Sequence, residues 1–79
     1  MPENVIVTVV AGGQSADIEL PIKAKVRDIM KELVRVAPMV FHGCVITANE
    51  RLYYNDSVIP EQSSFADMGI FDGSILVVR

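Results

Sequence analysis

The sequence predicts an α+β fold, a mixed β-sheet with one main helix packed across it. Three observations lead there: an apolar, β-branched hairpin near the start, a single helical stripe after it, and β-rich segments separated by turn signals toward the end.

Val5-Ile6-Val7-Thr8-Val9-Val10 is rich in β-branched residues, which suit a pleated surface. Gly12-Gly13 follows as a turn signal, because glycine reaches positive φ without steric cost. Ala16-Asp17-Ile18-Glu19-Leu20 alternates apolar and polar, so Ala16, Ile18 and Leu20 face a core. These segments form a hairpin that Pro21 closes.

The period then changes. Val26, Ile29, Leu33 and Val36 recur at helical spacing, and Met30 and Val34 widen the stripe. Arg27, Asp28, Lys31, Glu32 and Arg35 take the solvated side, where Asp28–Lys31 and Glu32–Arg35 can pair at i,i+3. Pro38 disfavours helix at Ala37, so the helix is expected from about Lys25 to Val36.

Gly43-Cys44-Val45-Ile46-Thr47-Ala48 reads as a third strand, Asn49-Glu50 as a tight turn, and Arg51-Leu52-Tyr53-Tyr54 as a fourth strand ended by Asn55-Asp56-Ser57. Ser63 to Gly69 suits a short helical turn with Ser64 capping the amide of Asp67. Asp72-Gly73 is a further turn before a last strand from Ser74 to Val78. A helical crossover between the hairpin and a later strand, together with the resemblance described below, implies first and last strands adjacent and parallel.

Seventy-nine residues are expected to form a single domain over 1–79. A chain this short buries only about 60–65% of its unfolded surface. The apolar fraction is 51% and the mean hydropathy is +0.37, so apolar surface is expected to remain for another protein, or as singly exposed side chains.

Ten acidic against seven basic residues give a net charge of −3, and Lys23, Lys25 and Arg27 alternate with apolar residues. No basic footprint for nucleic acid results. Met1-Pro2-Glu3-Asn4 lacks the basic region of a signal peptide, and no apolar run approaches the ~20 residues that span a bilayer. The expectation is a cytoplasmic protein without membrane insertion.

Catalytic constellations are missing. The lone Cys44 excludes an internal disulfide and, with only His42 nearby, a zinc site. A Cys–His pair can activate a thiolate, but no third group orients this one; a loop histidine beside a core cysteine explains the spacing. Gly12-Gly13 precedes no helix with Lys-Ser/Thr, so a hairpin turn accounts for it better than a phosphate loop. Asp67 and Asp72 read as cap and turn residues. Neither enzymatic activity nor a cofactor is expected.

The ending Phe65-Ala66-Asp67-Met68-Gly69-Ile70-Phe71-Asp72-Gly73-Ser74-Ile75-Leu76-Val77-Val78 resembles the closing pattern of the ubiquitin superfamily. The helix spacing Val26–Ile29–Leu33 and the segment Val45 to Leu52 are also similar. The resemblance implies a ubiquitin-like β-grasp, with Phe65 and Ile70 pinning the short helix, Asp67 bonded to local backbone, Gly73 left-handed, and Leu76 and Val78 inward. The Asp67-Met68-Gly69-Ile70…Gly73 version is similar to the YukD/EsaB proteins of bacterial type VII (ESX/WXG-type) secretion.

That likeness implies a non-enzymatic adaptor or regulator working through protein contacts, with a membrane-associated secretion component or a second copy of the chain as partner. Ubiquitin and the sulfur carriers act through a Gly-Gly tail, whereas Val77-Val78-Arg79 closes this sequence, so conjugation and sulfur transfer are not expected. The alternatives are such a modifier or carrier, or a protein-binding module unrelated to secretion. By resemblance, Ile46 joined by Ile75 and Val77 forms the outer recognition patch, with Arg79 at its edge. In the apolar link after the helix, one of Met39 and Val40 is expected to plug the core. Phe41, Val34 and Tyr54 are then partner contacts or covers for the core's edge.

Overall fold

Val5, Val7, Val9 and Ala11 are buried while their neighbours face outward, the alternation a strand with one covered face requires. The structure, a computed structural model, describes residues 3–79; Met1 and Pro2, on which part of the leader reading rests, lie outside them. Strand β1 (Asn4–Ala11) pairs antiparallel with β2 (Gln14–Pro21), Ala11 opposite Gln14, so Gly12 and Gly13 form a two-residue turn. Gly12 is held twice over. Its φ is +57°, and a Cβ there would sit 2.8 Å from Sγ of Cys44, which packs against the core.

Helix α1 (Val26–Val40) buries Val26, Ile29, Met30, Leu33 and Ala37 against the sheet. Its first amides are satisfied by backbone. Val26 N–H donates to the Ser63 carbonyl at 2.8 Å and Arg27 N–H to that of Glu61 at 3.0 Å. The helix does not stop before Pro38 but continues one turn through it. Proline removes a helical N–H and crowds the preceding turn. Against that cost, the extra turn buries Ala37 and delivers Phe41, 2% exposed, into the core, where Phe41 N–H donates to the Ala37 carbonyl at 2.8 Å. A buried aromatic of that size contributes about 1.5–3 kcal/mol. The plug is therefore Phe41, while Met39 is 73% exposed and Val40 is exposed.

The expected third strand is not one. Gly43 to Ala48 crosses irregularly from the helix layer to the sheet, and the place beside the last strand is taken by β3 (Leu52–Tyr54). Within that crossing Ile46 turns inward and is 1% exposed, whereas Val45 points to solvent. A turn closes it: Glu50 N–H donates to the Thr47 carbonyl, and the Glu50 carboxylate accepts from the Thr47 amide, both at 3.2 Å. After β3 the chain does not end its pairing. Asn55 and Asp56, with φ of 51° and 64°, make a left-handed two-residue turn into β4 (Ser57–Val58), a strand the sequence reading did not anticipate.

The short helix α2 (Phe65–Met68) carries the anticipated cap. Asp67 N–H donates to the Ser64 hydroxyl and Ser64 N–H to the Asp67 carboxylate, each at 3.1 Å. Phe65, its first residue, and Ile70, just past its end, are buried. Strand β5 (Ile75–Val78) then runs parallel to β1 and antiparallel to β3, with Leu76 and Val78 inward. Sheet order is β2-β1-β5-β3-β4, a five-stranded mixed sheet with α1 across one face, so the predicted architecture is present.

Candidate protein-binding surface

The sheet's second face is not covered by α1. Because side chains alternate along each strand, the outward positions follow from the register. Val10 lies beside Val77, Val77 opposite Tyr53, and Tyr53 opposite Val58, a row crossing β1, β5, β3 and β4. One register step away, Ile75 (59% exposed) stands beside Thr8, with Ile6 further along β1 and also exposed. Contiguous apolar surface spread over neighbouring strands is what marks interaction sites; singly exposed residues do not.

Charged groups frame this row. The Arg79 guanidinium carbon lies 5.0 Å from the centroid of the Tyr53 ring, within cation–π range, and 3.6 Å separates its Nη2 from the Asp56 carboxylate. Arg79 is held there because Arg51 and Arg79 exchange backbone hydrogen bonds of 2.7 and 3.0 Å, extending the β3–β5 ladder by one residue. On the opposite flank, the Asp17 carboxylate accepts from the Thr8 hydroxyl at 2.7 Å and that of Glu19 from Asn4 Nδ2 at 2.9 Å. The Asp72 carboxylate accepts from the Ile6 amide at 2.8 Å. The Arg79–Asp56 ion pair therefore borders one end of the apolar row, and carboxylates without a cationic partner among the described residues border the other.

The six sequence candidates separate into three places. Ile75 and Val77 lie on the outer face as expected. Val34 and Tyr54 are half-buried against the core on the helix side; Val34 also lines a groove of about 270 Å³ with Met30 and Ala48. Ile46 and Phe41 are core residues and offer a partner nothing. The sequence reading missed Val10, Val58 and above all Tyr53. The signal was available, since an inward Leu52 in the recognised strand sends Tyr53 outward. Assigning the patch to the segment before that strand hid it.

Among the described residues, no group of three or more His, Cys, Asp or Glu side chains could hold a metal ion. His42 is exposed; its backbone N–H donates to Gln14 Oε1 at 2.9 Å and its carbonyl accepts from Gln14 Nε2, which ties the hairpin to the segment after α1. No described helix is long and apolar enough to cross a membrane. The Glu32 carboxyl is held below its ordinary value, chiefly by its hydrogen bonds from Arg35, whose guanidinium is raised in turn.

A helix-covered mixed sheet whose first and last strands run parallel side by side at its centre defines a ubiquitin-like β-grasp protein. The chain belongs to the family of the WXG100 protein secretion system (Wss) protein YukD, whose family model matches residues 4–78. Solved structures share the fold. The ubiquitin-like domain of the Mycobacterium tuberculosis type VII secretion system protein ECCD1 superposes with a TM-score of 0.74 at 20% identity, covering 95% of this chain and 96% of that one. Caldiarchaeum subterraneum ubiquitin gives a TM-score of 0.74 at 16% identity, over 95% and 90% of the two chains. A designed protein based on ubiquitin gives 0.79 at 12% identity, over 100% and 90%. No curated protein matches the sequence.

Proposed function

We propose that this protein is a non-enzymatic, cytoplasmic adaptor or regulator of type VII secretion that works through protein contacts and is not conjugated. As a single ubiquitin-like domain, it presents the outer sheet face to a membrane-associated secretion component. The observation that carries this reading is the apolar row Val10–Val77–Tyr53–Val58 with Arg79 stacked on Tyr53. An amphipathic aromatic under a cation, flanked by half-exposed aliphatics, has the composition of an interface hot spot. Membership of the YukD family supplies the secretion context.

Affinity capture from native lysate tests the proposal, using wild type beside Val77→Asp, both shown folded by circular dichroism. Recovery of membrane secretion components by wild type but not by the variant supports it. Capture of an adenylating enzyme, or covalent adducts on target lysines, would replace it with the modifier reading. Equal recovery by both baits would remove the outer face from the function.

A further inference from the structure

Charge is not spread evenly over this chain. At and around the outer face stand Asp17, Glu19, Asp56 and Asp72, against Arg79 alone. The other six carboxylates of the sequence equal the other six cations in number, so the net charge of −3 falls entirely here. Arg79 is engaged by Asp56, whereas Asp17, Glu19 and Asp72 have no cationic partner among the described residues.

The bonds these carboxylates do make come from neutral donors. The Thr8 hydroxyl holds Asp17, and the Asn4 amide holds Glu19, on the outward side of the β1–β2 pair. A neutral donor orients a carboxylate without cancelling its charge. Both charges are therefore fixed in position beside the apolar row and left uncompensated.

The sign of the charge narrows the occupant. Nucleic acid and anionic lipid are repelled by it. A second copy docking through the same face would bring two negative surfaces together. The strands beneath the row, β1, β5 and β3, are paired on both sides, so an occupant docks on side chains and must satisfy its own backbone. A helix does so internally. Four strands at about 4.8 Å spacing span about 14 Å, the length of about ten helical residues.

We infer that the outer face takes an amphipathic helix of a partner protein, with its apolar stripe along Val10, Val77, Tyr53 and Val58 and its Lys or Arg side chains over Asp17 and Glu19. The inference rests on the outer face being the binding surface and adds the sign and the place of the partner's charge. Because β2 flanks β1, the cations belong at the Val10 end of the stripe; at the Val58 end Asp56 is already paired with Arg79.

The probes are two synthetic alanine-leucine amphipathic helices that differ only in one terminal turn, which carries paired lysines or paired glutamates. NMR of the isotope-labelled full chain reads the result. The lysine peptide should shift the amides of Val10, Tyr53 and Val77. It should bind about tenfold more tightly than the glutamate peptide at low salt, a gap that closes at about 1 M salt. A spin label beside the lysines should broaden Asp17 and Glu19 before Val58. Asp17→Asn with Glu19→Gln keeps both hydrogen-bond acceptors and removes both charges, so the preference should vanish with the fold unchanged. Equal affinity for both peptides, no binding by either, or a preference that survives the double variant would overturn the inference. So would self-association of the chain at Tyr53 and Val77 without peptide. The outer-face reading fails independently, through equal recovery of partners by wild type and Val77→Asp from lysate.

Discussion

Arg79 stacks on Tyr53, 5.0 Å from guanidinium carbon to ring centroid, joining the residue after the last strand to the outward side chain of β3. The stack exists because the ladder continues past β5 through the paired backbone of Arg51 and Arg79. It converts what would be a flexible exposed arginine into a fixed cation above an apolar row. An exposed contact of this kind contributes about 0.5–1 kcal/mol, so its weight lies in orientation more than in stability.

Tyr53→Ala and Arg79→Ala should each weaken partner capture while shifting the urea midpoint little. Binding measured for the two single variants and the double variant should show less than additive loss, since either change removes the same stack. Fully additive losses would mean that the two side chains contact the partner independently.

Placing an aspartate at two positions should separate core from surface. Ile46→Asp buries an unpaired carboxylate and is expected to cost more than about 4 kcal/mol, leaving the chain unfolded at room temperature. Val77→Asp, half-exposed on the sheet, should retain the native circular dichroism spectrum. A folded Ile46→Asp protein would contradict the inward turn of the segment from Gly43 to Ala48.

The link after α1 offers a parallel comparison. Phe41→Ala should lower stability by about 3–5 kcal/mol by emptying a core site. Met39→Ala, two residues earlier and exposed, should stay within about 0.5 kcal/mol of wild type. Denaturant unfolding of both variants measures the difference.

Gly12→Ala should destabilise the hairpin through two causes, a left-handed φ of +57° and a Cβ pressed to 2.8 Å from Cys44 Sγ. Pairing it with Cys44→Ala should recover the second part only. A complete recovery in the double variant would show that the backbone conformation carries no cost.

Glu32 supplies a pH dependence whose sign is set. Hydrogen bonds from Arg35 hold its folded-state carboxyl below the ordinary value. The favourable contribution is therefore present above the unfolded value and lost as pH falls through the folded one. Both side chains are exposed, so salt should weaken the effect. Carboxyl titration by NMR should show Glu32 moving back up in Arg35→Ala.

Local chemistry alone determined much of this protein. The alternation of β1 and β2, the glycine turn between them, the stripe from Val26 to Leu33, and the Ser64–Asp67 cap each follow from neighbours a few residues apart, whereas the expected Val36 stays half-buried and Ala37 takes the last core position of the stripe. The family was legible in the ending from Phe65 to Val78, where burial, cap and turn recur in fixed spacing. What only the tertiary structure decided lies between Ala37 and Val58. No regular period runs through Phe41, Val45 and Ile46, so which of them is buried depends on what the rest of the chain places over them. The helix passes Pro38 because core burial beyond it outweighs the local penalty. The outer face, in turn, is made by register between strands distant in sequence, and Tyr53 meets Val77 and Arg79 only once β3 and β5 have paired.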